Sequence, residues 1–266
     1  PGSVLKDLIN SEVINTVKLD KIFRQAAKSK IILNAHRVNN GLGFIQKGDE
    51  DLEEDTKEDF FFIKQNSTEK MLQEVISLST GRLEKFGNYD FFKNIQVLTP
   101  TKKGPLGTRE LNRALQAVLN PNLEGLPEKT SGGVTYRVGD RVMQVKNNYD
   151  ITWEREKKPF GNEKINGESW ASTYLAKTSE KVEIGTGVFN GEIGTILERD
   201  EREKVVKIQF DDEKVAWYEY ADLEQIEHSY AITIHKAQRK WIWCSNNASS
   251  TVSSNVTYKK FVIYRN

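Results

Sequence analysis

The sequence predicts an α/β fold with a small β-barrel inserted into it, and three observations lead to this prediction. Up to residue 131, apolar strands alternate with amphipathic helices, a pattern typical of a parallel sheet flanked by helices. From Tyr136 onward, short strands of alternating polarity are joined by Gly, Asn and Asp turns, as in a small antiparallel barrel. Residues 229–234 then return to an apolar strand of the parallel type, so the barrel interrupts the α/β domain.

The helices of the α/β part are predicted from apolar spacing and from capping signals. Gly41 follows the second predicted helix as its C-cap. Asn66 is the predicted N-cap of the third helix, with Glu69 as its partner three residues later. Asn120 and Pro121 stop the fourth. The predicted helices cover residues 4–12, 21–41, 67–86 and 108–119.

Buried strands before the barrel are predicted wherever a short apolar run stands between polar segments. Three runs meet this description: 13–19, 60–63 and 95–99. Because these strands alternate with helices, we expect them to lie parallel in one sheet.

The inserted barrel is predicted over residues 132–227. Gly139-Asp140 and Asn190-Gly191 are turn signals between segments of alternating polarity. Residues 154–186 are rich in Lys, Glu, Gly and Ser, and this composition predicts a long excursion from the barrel.

The overall charge of the 266-residue chain conceals an uneven distribution. The net charge is +1, but residues 239–266 contain five Lys or Arg and no acidic residue. Residues 1–238 therefore carry 34 basic and 38 acidic groups. A nucleic-acid partner would have to be bound by local basic patches, since the global charge gives no attraction.

The cysteine content and the hydropathy pattern restrict the class of protein. The single cysteine, Cys244, excludes an internal disulfide framework and a thiolate zinc site, which suits a reducing cytoplasm. No apolar run reaches the roughly 18–20 residues of a membrane-spanning helix, so we expect no membrane partner. The chain begins with Pro-Gly-Ser rather than Met, and we expect it to be a fragment of a longer protein.

Two short motifs imitate nucleotide-binding elements, and each has a simpler interpretation. Residues 210–213 (FDDE) follow an apolar strand, as the Mg²⁺-binding acids of a Walker B site do, but alternation resumes at once and favours a hairpin turn. Residues 102–108 (KKGPLGT) imitate a phosphate loop but lack its Gly-Lys-Ser/Thr ending. Without a complete Walker A motif, the chain has no self-sufficient site for a nucleoside triphosphate.

The three histidines differ in their surroundings. His36 and His228 are isolated, and we interpret them as surface or packing residues. His235 stands with Thr233 and Lys236 at the end of the predicted parallel strand, where α/β sheets place their ligands. A polar segment at this position is equally well explained as a helix cap, so spacing alone leaves both interpretations open.

Six blocks of the sequence resemble the RecD/TraA-type DNA helicases of superfamily 1. The blocks are KLDKIFRQ, IILNAHRVNNG, IQVLTPTKKGPLGTRELNRALQ, RVGDRVMQVKNNYD, GVFNGEIGTI and YAITIHKAQ. They occur in the family's order and cover residues 1–238 almost continuously. The resemblance implies a second RecA-like motor domain in residues 1–131, an inserted SH3-like barrel in 132–227 and a return to the RecA-like domain, as helicase motif V, in 228–238. Because the segment at the start resembles the one after helicase motif III, the N-terminal RecA-like domain would be missing and would be a partner.

The resemblance assigns the ATP contact to Arg24 and Gln25. Arg24 matches the motif IV arginine that reaches the γ-phosphate, where a guanidinium stabilises the charge that develops during phosphoryl transfer. The alternative is an arginine on a solvated helix face.

The resemblance also assigns contacts with single-stranded DNA at the ends of two strands. Hydroxyl and ammonium groups there suit phosphate binding without base specificity. The implied DNA-binding residues are Thr99, Thr101, Lys102, Lys103, Thr233, His235, Lys236 and Gln238. We interpret Asn147, Asn148 and Asn190 of the barrel as turn residues rather than DNA contacts.

Residues 239–266 depart from the family pattern, which stops at Gln238. When each codon is read one base later, with synonymous codons chosen freely, the tail yields a segment similar to the one that the family has at this place. We therefore predict that the tail is aberrant, a frameshift product that packs poorly and adds nothing to function.

The implied function is that of a fragment of an ATP-dependent DNA helicase that moves 5′→3′ on single-stranded DNA in the cytoplasm, in recombination or repair. The parent protein would use ATP and Mg²⁺, whereas we expect this fragment alone to bind neither and to be inactive. Subunits of a nuclease complex are further partners that the family makes possible. The alternative is a non-enzymatic nucleic-acid-binding or partner-docking module.

Overall fold

The computed structural model describes residues 3–17, 29–45, 59–122, 125, 128–156, 182–237 and 261–262. The chain divides into two compact units, residues 1–64 and 65–266. Arg24, Gln25 and Gln238 lie outside the described residues, as do the middle of the predicted excursion and most of the tail. The roles predicted for them stay predictions.

The first unit contains the helices α1 (Val4–Asn10) and α2 (Lys30–Asn39). The start of α2 is held by two side chains. The Ser29 hydroxyl accepts a hydrogen bond from the amide of Ile32 at 3.4 Å. The Asp59 carboxylate accepts one from the amide of Ile31 at 3.1 Å and another from the Ser29 hydroxyl at 2.7 Å. These acceptors satisfy amides that have no partner within the helix.

The strands predicted at 13–19 and 60–63 are wrong in the part of the chain that the structure describes. Residues 13–17 are exposed and form no strand, and residues 60–63 form none either. The ring of Phe62 instead lies 4.7 Å from that of Phe44, centroid to centroid. An apolar run becomes a strand only when another strand pairs with it, and periodicity cannot supply that partner.

The second unit begins with a series of helices. Helix α3 (Thr68–Ser77) is followed by residues Leu78–Arg82, where the non-helical backbone of Gly81 makes a kink, and then by α4 (Leu83–Gly87) and α5 (Phe91–Asn94). The N-cap of α3 is Ser67, one residue later than predicted, and its hydroxyl accepts from the amide of Lys70. Helix α6 (Thr108–Leu119) covers the predicted range.

A small parallel sheet packs against these helices. Its strands are β1 (Val97–Thr99), β11 (Ala231–Thr233) and β12 (Phe261–Val262), in the order β11-β1-β12. The predicted strands at 95–99 and 229–234 thus pair in parallel although more than 130 residues separate them.

Both faces of this sheet are buried, because successive side chains of a strand point to opposite sides. Val97 and Ala231 pack in one cluster with Leu111 of α6. Leu98 and Ile232 pack in another with Met143 of the barrel. The sheet is therefore enclosed between helices on one side and the barrel on the other.

The largest sheet among the described residues is antiparallel, so the prediction of a parallel main sheet is corrected. The hairpin β2 (Lys129–Ser131) and β3 (Val134–Tyr136) precedes it. The seven strands of the antiparallel sheet have the order β10-β4-β7-β8-β9-β5-β6. They are β4 (Arg141–Gln144), β5 (Asn148–Glu156), β6 (Val182–Val188), β7 (Ile193–Asp200), β8 (Val205–Phe210), β9 (Val215–Glu219) and β10 (Ile226–His228). A 3-10 turn (Tyr220–Gln225) joins β9 to β10, and α7 (Ile234–Ala237) follows β11.

The turns of the barrel lie where the sequence predicts them. Residues 211–213 of the FDDE motif form the β8–β9 turn, which is closed by a hydrogen bond from the amide of Phe210 to the carbonyl of Lys214 at 2.7 Å. Gly191 has φ +101° in the turn before β7. The side-chain oxygen of Asn147 accepts from the amide of Asn190 at 2.9 Å, so both asparagines take part in turns. The hairpin interpretation of residues 210–213 is confirmed.

Candidate nucleic-acid interface

The two segments predicted to contact DNA lie at the same edge of the parallel sheet. Thr99 at the end of β1 is in register with Thr233 at the end of β11. The chain leaves β1 through the loop 100–107 into α6, and it leaves β11 directly into α7. Because parallel strands present their carboxyl ends together, residues 101–103 and 235–236 follow neighbouring strand ends.

The two threonines at the strand ends are buried, and their hydroxyl groups bond within the protein. Thr99 is 2% exposed, and its hydroxyl donates to the carbonyl of Leu106 at 2.6 Å. Thr233 is 9% exposed, and its hydroxyl accepts from the amide of Lys236 at 3.2 Å. Thr99 thus fixes the 100–107 loop, and Thr233 fixes the first turn of α7.

The remaining predicted residues at this edge are accessible. Thr101, Lys102, Lys103 and His235 are exposed, and Lys236 is half-buried. The ammonium of Lys102 lies 3.5 Å from the Glu227 carboxylate, in a pair whose side chains are about half exposed. An ion pair of this kind contributes little energy, so Lys102 can exchange Glu227 for another anion at small cost.

The loop between β1 and α6 is compact because of two glycines. Gly104 has φ +94°, a backbone conformation that residues with a Cβ rarely adopt. A Cβ on Gly107 would lie only 2.6 Å from the carbonyl oxygen of Lys102. The amide of Thr108 donates to the carbonyl of Thr101 at 3.1 Å. Together these features bring Thr101 and Lys102, at the beginning of the loop, close to the start of α6.

Asn112 of α6 fixes the strand from which the second segment emerges. Its side-chain oxygen accepts from the amide of Ala231 at 2.7 Å. Its side-chain nitrogen donates to the carbonyl of Ala231 at 3.1 Å and to that of His228 at 3.0 Å. The Asn112 side chain therefore makes the hydrogen bonds that the backbone of a neighbouring strand would make, and it holds β11 against α6.

A buried carboxylate, Asp140, connects the barrel to the rest of this unit. Its side chain is inaccessible to solvent and accepts hydrogen bonds at 2.7 to 3.1 Å from elements on both sides. The donors are the side chains of Gln116, Asn120, His228 and Tyr230 and the amide of Arg137. We call this group the Asp140 network.

The network changes the acidity of its members in the direction expected from burial and hydrogen bonding. Burial by itself raises the pKa of Asp140, but the hydrogen bond and charge of His228 and the hydrogen bonds from Asn120 and Arg137 oppose it. The pKa of Asp140 is lowered as a result. Burial, followed by the negative charge of Asp140, raises the pKa of Tyr230. Asp140 is therefore a carboxylate at neutral pH.

Sequence reasoning missed Asn112, Asp140 and Glu227. Asp140 was noticed only as part of a Gly-Asp turn, and its partners lie up to 90 residues away in the chain. Asn112 and Glu227 have no local signal, since a polar residue on a helix or a strand is ordinarily solvated. His228 was interpreted as a surface or packing residue, and the structure places it in the buried network.

The described part of the chain contains neither a membrane-spanning helix nor a group of side chains that could bind a metal ion. Its helices are too short or too polar to span a bilayer. Its His, Cys, Asp and Glu side chains form no group of three or more that could hold a metal ion.

Comparison with known proteins links the chain to helicases. Residues 111–210 match the SH3 domain family of ATP-dependent RecD-like DNA helicases. The chain is 29% identical over 223 residues to the ATP-dependent RecD2 DNA helicase of Deinococcus radiodurans. It is 25% identical over 237 residues to an uncharacterised protein of Methanocaldococcus jannaschii. The resemblance to RecD-type helicases is therefore confirmed.

The alignments cover most of this chain but only a small part of its relatives. They cover 84% and 82% of this chain but only 23% and 17% of the two relatives, so the chain spans less than a quarter of either. A solved structure of unliganded Pif1 from Bacteroides sp. aligns with 77% of this chain and 81% of that one, at 12% identity and a TM-score of 0.26. Similarity at this level does not establish a shared fold.

Proposed function

We propose that this chain, which is related to the RecD-like DNA helicases, is part of the motor of an ATP-dependent DNA helicase and contacts single-stranded DNA. The observation that carries the proposal is the register of Thr99 with Thr233, which brings the two predicted DNA-binding segments to one edge of the sheet. In this proposal residues 1–131 and 228–238 belong to a RecA-like domain, and residues 132–227 form its SH3-like insertion.

The side chains at this edge divide into two roles in the proposed contact. Lys102, Lys103 and His235 are exposed and supply positive charge or hydrogen-bond donors to phosphate oxygens. Thr99 and Thr233 hold the two segments in place through their internal hydrogen bonds. Contacts of this type bind the backbone and leave the bases unread, as a motor that moves along any sequence requires.

The proposed ATP chemistry needs residues beyond those of this edge. The sequence has no Walker A motif, and we propose that a further RecA-like domain supplies it. Arg24 and Gln25 would then complete the site from this chain, with Mg²⁺ bound to the nucleotide. Movement in the 5′→3′ direction, a cytoplasmic location and a place in recombination, repair or a nuclease complex belong to the same proposal.

The DNA contact can be tested by fluorescence anisotropy with a labelled single strand of about 16 nucleotides, a length that covers the usual binding sites. The variant Lys102→Ala/Lys103→Ala removes two proposed phosphate contacts. Each contact contributes about 0.7 to the slope of log affinity against log salt for single strands, so we expect the slope to fall by about 1.4.

The matched control is Lys85→Ala/Lys93→Ala, which removes the same charge from exposed lysines of α4 and α5, both before β1 in the chain. We expect this variant to keep the wild-type slope. An equal loss in both variants would show that the basic edge has no special role, and the proposal would then be wrong.

A further inference from the structure

The barrel has a groove on the side formed by β5, β6 and β9, with a volume of about 530 Å³. Three adjacent strands span about 10 Å, so the groove is wide enough for several residues of a peptide. The side chains accessible in it include the carboxylates of Asp150, Glu154, Glu219 and Asp222 and the indole of Trp217. This groove has no part in the DNA contact proposed above.

The apolar surface of the groove follows from the alternation of its strands. Trp217 of β9 is 43% exposed, and Ile184 of β6 is 73% exposed and lies opposite Glu154 in the β5–β6 pair. The ring of Trp153 occupies the space beside Gly185, where a Cβ would lie 2.3 Å from the ring. The Trp153 ring thus packs toward the barrel core, on the face of β5 opposite to Glu154, and the exposed apolar surface is that of Trp217 and Ile184.

The lining of the groove is negative, and the ammonium of Lys207 lies beside it over the ring of Trp217. Among the described residues, the carboxylates of Asp150, Glu154 and Glu219 form no ion pair, and the lining contains no Lys or Arg. Like charges around one groove repel each other, and a bound cation relieves that repulsion. A phosphate backbone would be repelled at the same place, which excludes a nucleic-acid strand as the occupant.

The Trp217 indole of the groove and the Trp153 indole on the other face of the sheet both accept cations from the chain itself. The ammonium of Lys207 lies 4.9 Å from the ring centroid of Trp217. The guanidinium of Arg155 and the ammonium of Lys214 each lie 5.5 Å from that of Trp153. Aromatic faces in this setting attract ammonium and guanidinium groups in addition to apolar side chains.

We propose that this groove docks a basic, extended peptide segment of a partner protein. Lys or Arg side chains of that segment pair with the carboxylates, and its apolar side chains pack on Trp217 and Ile184. Charge complementarity selects this occupant, because it alone neutralises the carboxylates while it covers the exposed apolar surface.

The test uses the 266-residue chain and a fluorescein-labelled peptide of about twelve residues in which Arg alternates with Leu, long enough to cross the groove as an extended strand. We expect this peptide to bind, and we expect a peptide with Glu in place of Arg not to bind. The variant Glu154→Lys/Glu219→Lys should weaken binding by about tenfold or more. Trp217→Ala should weaken it while leaving the salt dependence unchanged.

The matched control is Glu198→Lys, which changes an exposed acid of β7 outside the groove and should bind the peptide like the wild type. Circular dichroism of each variant verifies the fold. Three results would overturn the proposal: equal binding by the groove variant and the wild type, loss of single-stranded DNA binding in the groove variant, or a self-associated wild type that the groove variant renders monomeric in sedimentation.

Discussion

The carboxyl edge of the parallel sheet and the groove of the barrel differ in the properties that select a partner. At the edge, the ammonium groups of Lys102 and Lys103 are exposed on the loop 100–107. In the groove, carboxylates of β5, of β9 and of the 3-10 turn after β9 surround the indole of Trp217. The edge therefore suits a phosphate chain, and the groove suits a cationic peptide.

This difference shows why the net charge of the chain says little about its partners. The net charge of +1 is a sum over the whole chain and does not give the sign of either surface. Each surface acts within a Debye length of about 8 Å at physiological salt, so a ligand responds to the local charge alone. The variants described below either disturb both surfaces at once or change one surface and leave the other intact.

The largest effect is expected from Asp140→Ala, which breaks the connection between the barrel and the parallel sheet. The side chains of His228, Gln116 and Tyr230 would lose a buried charged acceptor. We expect the free energy of unfolding, measured in urea, to fall by about 3–5 kcal/mol. Glu198→Ala on the barrel surface is the control and should change it by less than about 0.5 kcal/mol. A loss below about 1 kcal/mol for Asp140→Ala would contradict the role of the network.

The next effect separates the two surfaces. In Gly107→Ala the new methyl group meets the carbonyl of Lys102, so the loop that carries the lysines must move. We expect a loss of about 1–3 kcal/mol in stability and weaker binding of single-stranded DNA, with peptide binding in the groove unchanged. Gly43→Ala, where a Cβ meets no atom within 4 Å, is the control. Unaltered DNA binding by Gly107→Ala would mean that the loop has no part in it.

The strand positions show what could and could not be predicted from the sequence. Helix α6 was predicted residue for residue, because an amphipathic run lies between Gly107 and the Asn120-Pro121 stop. The strands predicted at 13–19 and 60–63 have the same local pattern as β1 but are not strands in the described chain. What distinguishes β1 is its pairing with β11, which depends on residues far away in the sequence.

The sites divide in the same way. The DNA-binding residues of the basic edge were implied by the family resemblance, and their role stays a prediction, whereas the parallel register of the two strands before them is observed. The groove was not predicted, because Glu154, Ile184 and Trp217 come from three separate strands and each is only one exposed position in an alternating pattern. The Asp140 network was missed for the same reason, since its donors come from elements distant in sequence.

The third effect is a dependence of stability on pH. The pKa of Asp140 is lowered in the folded chain, so this carboxylate stabilises the fold at pH values above its unfolded pKa of about 3.9. That contribution is lost as the pH falls below about 4 and through the folded pKa. Urea unfolding between pH 7 and pH 3 should show a steeper acid-side loss in the wild type than in Asp140→Asn. Identical slopes would show that Asp140 is not held as a buried anion.

The smallest effect is expected at the basic edge itself. Glu227→Gln removes the carboxylate that lies beside Lys102, so the lysine is free to pair with phosphate. We expect single-stranded DNA to bind more tightly by a factor of up to about five, the range of an exposed ion pair. Glu183→Gln, which breaks the exposed pair with Arg155 in the barrel, is the control and should leave DNA binding unchanged. Weaker binding by Glu227→Gln would contradict the assignment of Lys102 to phosphate.

The chain passes from the sheet into the barrel and back at adjacent points. The amide of Ser229 donates to the carbonyl of Arg141 at 2.9 Å, and Val142 is in register with His228. The segment between Arg141 and Ser229 is therefore attached to the parallel sheet as one long connection whose two ends are bonded to each other. Because each doubling of the length of a flexible loop costs only about 0.6 kcal/mol of closure entropy, a change in the length of this connection should cost the parallel sheet little.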